Sequence, residues 1–430
     1  MTTLKAVRGT RDLLPPETAL WNRIEATARS VFARYNFGEI RTPVFEDTSL
    51  FSRSVGEETD IVSKEMYTWE DRARDRPEKP QTLTLRPENT AGVVRAYIEH
   101  KLGETGQLQK LYYMGPQFRR ERPQKGRYRQ FSQIGAEVIG PPHAGSESPL
   151  RDAEVLEMLA TLLDELGITG WTLEINSVGS SADRERYNQT LREALIPLAP
   201  KMCVDCQRRA VTNPLRVLDC KVPEDQPIIE TLPKIVDSLD EASKTHFAAV
   251  LAALDAANVP YTRNDRLVRG LDYYTRTTFE FTHGGLGAQN ALLGGGRYDG
   301  LSEAIGGPKA PGIGFAMGED RLVLTLLALE TALPQKADAY IAPLGENLNP
   351  AALNLARELR HTGLYVELGD GRFRLKKSFE AADKVARSIV ILGEDELQSG
   401  ILTVKDFSTG IQTKVPRTEL AAHLAQPAGA

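Results

Sequence analysis

Nowhere in the 430 residues is there a run of about eighteen uncharged apolar side chains, so no transmembrane helix and no membrane partner is expected. Cysteine is scarce. Three residues cannot build a disulfide framework and suit a reducing compartment. The six histidines are scattered, with neither an HExxH pair nor a nucleophile–histidine pattern, which excludes hydrolase readings. Neither sign of charge dominates: 53 Lys and Arg stand against 58 Asp and Glu, a net of −5. That excludes a histone-like basic protein but leaves room for a local basic patch. The opening Met1–Arg8 has no apolar signal-peptide core, so a cytoplasmic location is expected. Repeats and low-complexity tracts are also missing. What is present is the composition of a folded protein, 41% hydrophobic and 26% charged, long enough for two or three domains.

The chain reads first as a helix, with Trp21, Ile24, Val31, Phe32 and Tyr35 on one apolar stripe after Pro15 and Pro16. Glu39–Phe45 reads as a short strand and 70–80 as a charged, proline-punctuated loop. Thr82–Arg86 alternates polar and apolar residues. Leu111–Met114 and Phe131–Ile139 flank a basic segment and predict a long antiparallel hairpin. A helix over 150–166, a strand over Trp171–Val178 and a mostly helical stretch over 181–256 follow. Strand signals return at Leu267–Phe281, Asn290–Leu293 and Gly312–Met317, then a helix from Glu319 to Thr331. Past a linker at Ala332–Asp338, strands (Tyr340–Pro343, Leu364–Leu368, Ser388–Leu392) alternate with helices near 350–361 and 376–386. That pattern predicts a small α/β domain on a partly parallel sheet. The expected division is 1–334, with the helical insertion at about 181–256, and 335–430.

Four segments could carry chemistry. Arg119–Arg129 holds five arginines and one lysine against one glutamate, a local charge of +5 around a turn at Pro123 and Gly126. Such arginines can neutralise phosphates bidentately, or simply snorkel from a solvated hairpin. Arg269–Arg276 could line a polar pocket or be a turn with core aromatics. Gly294–Gly300 would let a backbone approach a ligand, although it lacks the P-loop ending and the Rossmann context; a glycine-rich turn is the default. Pro311–Arg321 reads as a strand turning into a helix. Arg321 in the first helical turn opposes the helix dipole, which favours an anionic ligand there. Separately, Cys203, Cys206 and Cys220 make half of a zinc site, with Asp205 or Asp219 as conceivable fourth ligands. Incidental thiols are the plainer reading.

In this order the segments resemble the class II aminoacyl-tRNA synthetases, and within them the histidyl-tRNA synthetase family. Arg8–Pro15 matches that family's opening. Ile40–Glu46 is similar to motif 1, whose proline lies at the family's dimer interface. Phe118–Glu137 is similar to motif 2 and Gly312–Arg321 to motif 3, and Arg269–Tyr274 and Gly294–Gly300 resemble the two signatures peculiar to the histidine enzyme. The resemblance implies an α+β fold: a class II catalytic domain on a mainly antiparallel sheet flanked by helices, a helical insertion, and a C-terminal α/β anticodon-binding domain. It implies ATP-dependent ligation of L-histidine to tRNA(His) through histidyl-adenylate, with Mg²⁺ bridging phosphates and a homodimeric assembly. Asn89, where glycine is usual, and Ser132, where histidine is common, depart from the family pattern.

By the same resemblance, Arg119 holds the α-phosphate and the histidine carboxylate, and Arg269 faces that phosphate from the other side. Arg127 and Arg321 bind the outer phosphates or flank the adenine, with Glu121 and Phe131 at the base. Glu88, Thr90 and Gln133 receive the α-ammonium, and Tyr273 and Tyr274 belong to the histidine pocket. Glu137 lies on the strand face of Gln133 and Gly135, where its carboxylate could accept an imidazole N–H. Arg122, Gln124 and Lys125 would meet the tRNA acceptor end. Arg372, Arg374, Lys376 and Lys377 are the one basic cluster of the C-terminal domain. The rival readings are a non-catalytic, histidine-binding regulatory paralogue of ATP phosphoribosyltransferase, and a synthetase of the same subclass for another amino acid. Retained arginines argue against the first, and Glu137 with Arg269–Tyr274 against the second.

Overall fold

A helix spans Glu17–Arg34 because Leu20, Trp21, Ile24, Ala28, Val31 and Phe32 recur at helical spacing and are all buried. The structure is a computed structural model that describes residues 3–56, 59, 61–71, 81–123, 126–268, 273–286, 290–329 and 336–426. The chain divides into two compact units, Met1–Ala332 and Leu333–Ala430.

Unit 1 carries β1 (Gly38–Glu39), β2 (Phe45–Asp47), β3 (Tyr67–Asp71), β4 (Gln81–Leu85), β5 (Gln109–Phe118), β6 (Gln130–Ile139), β7 (Trp171–Ser177), β8 (Thr262–Arg263), β9 (Thr275–His283), β10 (Ala291–Arg297) and β11 (Gly312–Gly318). Eight of them form one sheet in the order β1-β5-β6-β11-β10-β9-β7-β8. Only the outer pairs β1–β5 and β7–β8 are parallel; the interior is antiparallel, as expected. The helices Glu17–Arg34 and Pro149–Glu165 join one face of this sheet in a common core with Ile134, Phe279, Phe281, Ile313 and Phe315. A small sheet, β2-β4-β3, stands apart from it.

The predicted hairpin is β5 and β6, paired antiparallel from Gln109↔Ile139 to Phe118↔Gln130. Two expectations fail locally. Glu39–Phe45 is not one strand: β1 ends at Glu39 and β2 begins at Phe45. Between them the buried Arg86 guanidinium donates to the carbonyls of Thr42 and Pro43 at 3.0 and 3.3 Å, so side-chain bonds replace a ladder there. Nor is Gly294–Gly296 a turn; these glycines lie inside β10. A Cβ on Gly295 would stand 2.1 Å from the Gly314 carbonyl oxygen, and one on Gly296 2.6 Å from the Thr277 oxygen, so the neighbouring strands leave no room for a side chain. Arg297 closes the strand as a structural group: fully buried, it pairs with Asp152 at 2.5 Å and donates to the Ser146 carbonyl.

The 181–256 region is mostly helical, with Ser181–Leu195, Val204–Thr212 and Glu241–Ala256 as its main helices. Tyr187, Leu191, Cys206, Val217, Ile229 and Ile235 form a separate small core. The last helix does not belong to that core. Its Phe247, Val250 and Leu254 join the main one, and His246 bonds Asp152 at 2.9 Å. The closing helix of the unit is Glu319–Ala328.

Unit 2 carries β12 (Ala337–Pro343), β13 (Val366–Leu368), β14 (Ala386–Leu392), β15 (Ile401–Asp406) and β16 (Gln412–Pro416) in the order β13-β12-β14-β15-β16. The first three are parallel and the last two join antiparallel. Helices Asn349–His361 and Leu375–Val385 are the crossovers. Among the described residues no helix is long and apolar enough to cross a membrane.

Candidate active site

Two cavities meet over the centre of the large sheet. The smaller, about 160 Å³, is lined by Glu88, Thr90, Tyr113, Arg119, Gln133, Tyr273, Tyr274, Gly294, Tyr298, Gly314, Phe315 and Ala316. The larger, about 520 Å³, opens beside it and is lined among others by Arg119, Glu121, Arg127, Tyr128, Phe131, Gln133, Glu280, Asp320 and Arg321. Arg119, Gln133, Gly294 and Ala316 line both and form their common wall. Strands β6, β10 and β11 supply that wall because the register sets small residues side by side: Gly135 faces Ala316, Glu137 faces Gly314, and Gly294 faces Ala316.

The smaller cavity is polar and under-bonded. The Gln133 side-chain oxygen is buried without a hydrogen-bond partner among the described residues, and the hydroxyls of Tyr113 and Tyr298 are buried beside the Glu137 carboxyl. Natural interiors leave few such atoms, and one on the wall of a polar hollow marks a place for a polar ligand. Glu88 caps the helix Thr90–Glu99, accepting from the backbone N–H of Thr90 at 2.7 Å and of Ala91 at 3.0 Å. Burial raises its carboxyl.

Glu137 is fully buried and accepts from the Thr90 hydroxyl at 2.7 Å. It lies across Gly314, where a Cβ would meet its Oε2 at 1.6 Å. Burial, with Glu88 nearby, pushes its carboxyl up to about 8 against the pull of the Thr90 hydrogen bond. Tyr273 and Tyr274 close the cavity with rings 4.7 Å apart, and burial holds the Tyr273 hydroxyl protonated.

Arg119 is held at the junction. Its Nε donates to the Pro87 carbonyl at 2.9 Å, its guanidinium lies 5.3 Å from the Phe131 ring centre, and Glu121 stands 3.8 Å from Nη1. Arg127 pairs loosely with Glu121 at 3.4 Å. Arg321, in the first turn of Glu319–Ala328, donates to the Ala291 carbonyl at 2.6 Å. Burial and the nearby Arg127 lower its affinity for a proton. These two like charges converge on one cleft, an arrangement that a polyanion would stabilise. Ser132 donates to Glu319, whose carboxyl burial pushes up to about 7.

The structure therefore gathers Glu88, Thr90, Gln133, Tyr273, Tyr274 and Arg119 around the smaller cavity, with Glu137 behind Thr90, and Glu121, Arg127, Phe131 and Arg321 around the larger. Arg122 is exposed at the hairpin tip. Arg269, Gln124 and Lys125 lie outside the described residues.

A profile of the histidyl-tRNA synthetase family matches residues 9–322, and one of an anticodon-binding domain matches 338–426. The chain belongs to the histidyl-tRNA synthetase family. It is 71% identical over 422 residues to the histidine–tRNA ligase of Koribacter versatilis, covering 98% of this chain and 96% of that one. It is 55% identical over 423 residues to that of Solibacter usitatus, covering 98% and 99%. The apo crystal structure of S. aureus histidyl-tRNA synthetase is 37% identical, with a TM-score of 0.78 over 99% of this chain and 100% of that one.

Within this family frame, several lining residues were not singled out from the sequence. Tyr113 was legible only as one residue of a strand, and Tyr298 only as part of a glycine-rich segment. Gly314, Phe315 and Ala316 were legible only as part of the motif 3 segment and Glu280 only as one residue of a strand, because the register of β9, β10 and β11 is what brings them to the cavities.

Proposed function

We propose that this chain activates L-histidine with ATP and transfers the histidyl group to tRNA(His). The observation that carries the mechanism is the common wall: a small under-bonded cavity and a large cationic cleft meet at Arg119 and Gln133. The smaller suits histidine, the larger ATP. A histidine carboxylate oxygen bonds the α-phosphorus, the bond from that phosphorus to the β-phosphate oxygen breaks, and diphosphate leaves. A terminal ribose hydroxyl of the tRNA then attacks the histidyl carbonyl and AMP leaves. Repulsion between anions is the main obstacle to the first step, so fixed cations at the junction supply the catalysis. Arg119 reaches both reactants; Arg269 takes the opposite side of the α-phosphate.

Glu88, Thr90 and Gln133 receive the α-ammonium, Glu137 and Tyr274 the imidazole nitrogens, and Tyr273 packs the pocket. Glu121 and Phe131 hold the adenine, and Arg127 and Arg321 the outer phosphates. A pocket that hydrogen-bonds its substrate rejects an analogue lacking those groups by ~10⁴, because buried polar atoms are then left unpaired. Mg²⁺ enters with ATP. The carboxylates of Glu121 and Glu280, which line the cleft, are hard oxygen donors that would hold it, and the ion would neutralise phosphate charge there.

Arg122, Gln124 and Lys125 meet the acceptor end, and residues 335–430 read the anticodon through an edge carrying Arg372, Arg374, Lys376 and Lys377. A homodimer is supported by apolar side chains at the motif 1 segment and beside it, where Val44 and Phe45 are 39% and 52% exposed and the neighbouring Trp69 is 40% exposed. The location is cytoplasmic. Against the regulatory-paralogue reading stand the anticodon-domain match and the arginines in the cleft. ATP–pyrophosphate exchange with each of the twenty amino acids tests the proposal. Exchange with histidine alone is expected; exchange with none, or with another amino acid instead, would refute it.

A further inference from the structure

The three cysteines come together in the helical insertion, and an aspartate that sequence spacing did not suggest joins them. One ligand atom from each of Cys203, Cys206, Cys220 and Asp225 lies within 4.8 Å of all the others. The two aspartates suggested by spacing stand elsewhere: Asp205 is paired with Arg208 at 3.2 Å, and Asp219 lines the nucleotide cleft. His246 is bonded to Asp152. We propose that Cys203, Cys206, Cys220 and Asp225 form a structural site for one tetrahedral zinc ion.

The donor set and its spacing carry this. Zinc–sulfur bonds of ~2.3 Å place two thiolates of a tetrahedron ~3.8 Å apart. Cys203 and Cys220 Sγ are 3.9 Å apart, and Cys220 Sγ is 3.3 Å from Asp225 Oδ2. Three soft thiolates with one carboxylate select zinc over the oxygen-seeking cations. The surroundings are those of a ligand shell. The Cys203 sulfur accepts from the Cys206 N–H and the Cys220 sulfur from the Val222 N–H, at 3.5 and 3.4 Å. Asp225 is oriented by the Cys203 N–H at 3.0 Å. Such outer hydrogen bonds fix metal ligands in place.

Cys206, Cys220 and Asp225 are buried, and among the described residues no lysine or arginine pairs with Asp225. The Cys203 N–H and the Cys220 thiol bond its oxygens, so the carboxylate already faces the sulfurs with which it would share an ion. The small core of the insertion surrounds the site with Tyr187, Leu191, Val217 and Ile229. The ion would fasten both ends of the segment between Cys206 and Cys220. That segment presents Arg216 and Asp219 to the mouth of the larger cavity. The site stands whether or not the aminoacylation reading does.

The test uses the full chain, purified without a metal-affinity step and dialysed in reductant against metal-free buffer. Elemental analysis should find one zinc per chain. After zinc is exchanged for cobalt, the visible bands of a tetrahedral ion and near-ultraviolet thiolate charge transfer should appear. Cys203→Ser, at the least buried ligand, and Asp225→Ala should each weaken zinc binding at least ~10-fold with a native circular dichroism spectrum. Should either variant fail to fold, the cobalt spectrum of the wild-type chain decides. A wild-type chain that takes up neither metal overturns the proposal, whether its thiols are free or joined in a disulfide. So does undiminished zinc binding in Cys203→Ser.

Discussion

Arg119 faces two cavities at once, and its position there rests on one backbone carbonyl, one aromatic ring and the neighbouring Glu121. Arg119→Ala should therefore lower histidine-dependent pyrophosphate exchange by ~10²–10³, the scale of one lost electrostatic donor, while circular dichroism stays native. Exchange at the wild-type rate would remove it from the reaction. Glu137 makes a pH prediction. Its carboxyl is raised from 4.5 to about 8 in the folded chain, so folding takes up a proton between those values. Stability from this group is then present at low pH and declines as pH rises through the window, by at most ~1.4 kcal/mol per pH unit. Glu137→Gln removes that dependence and can keep an acceptor for Thr90. Urea unfolding from pH 5 to pH 8 should show the wild type losing stability relative to the variant, and parallel curves would contradict the raised value. Arg119 was legible in the sequence as part of a charge run. The buried environment of Glu137 was not, because burial is a property of what packs against a strand.

Among the elements, β10 shows most clearly how a pattern can mislead. Successive glycines ordinarily mark a turn, yet here they sit in the interior of a sheet, under Phe279 and against the Gly314 carbonyl. Gly295→Ala should destabilise the chain by ~1–3 kcal/mol, the cost of forcing a methyl group into packed backbone. A chemical denaturation midpoint equal to wild type would show that β10 and β11 can part at no cost. The helix Glu17–Arg34 followed directly from periodicity, since it buries one face of its own pattern, and the hairpin β5–β6 from two apolar runs flanking a basic turn. The break between β1 and β2 did not, because it depends on Arg86, distant in sequence, reaching the Thr42 and Pro43 carbonyls. The helix Glu241–Ala256 likewise reads as part of an insertion until its apolar face is seen in the main core.

At the scale of the whole molecule, the exposed Phe45, edge-to-face with Trp69 at 6.0 Å between ring centres, offers a direct handle on assembly. Phe45→Glu should convert a dimer to monomers in light scattering, because a carboxylate would be desolvated in the closed interface. A monomeric wild type, or a variant still dimeric, would contradict that surface assignment. Deleting residues 336–430 should reduce tRNA charging more than pyrophosphate exchange. Equal losses would argue against a separate role for the C-terminal unit.

The order of apolar and charged runs along the chain determined the helices and the long hairpin, the partly parallel C-terminal sheet, and the +5 segment that a polyanion would meet. These depend on the next few residues along the chain, which the sequence states outright. The tertiary structure decided which side chains share a cavity. It brought Tyr113 on β5, Tyr298 after β10 and Gly314 on β11 to one hollow, and Asp225 rather than Asp205 or Asp219 to the cysteines. A site is a convergence of distant segments, and only the strand register and the packing of the core set the ångström distances between them.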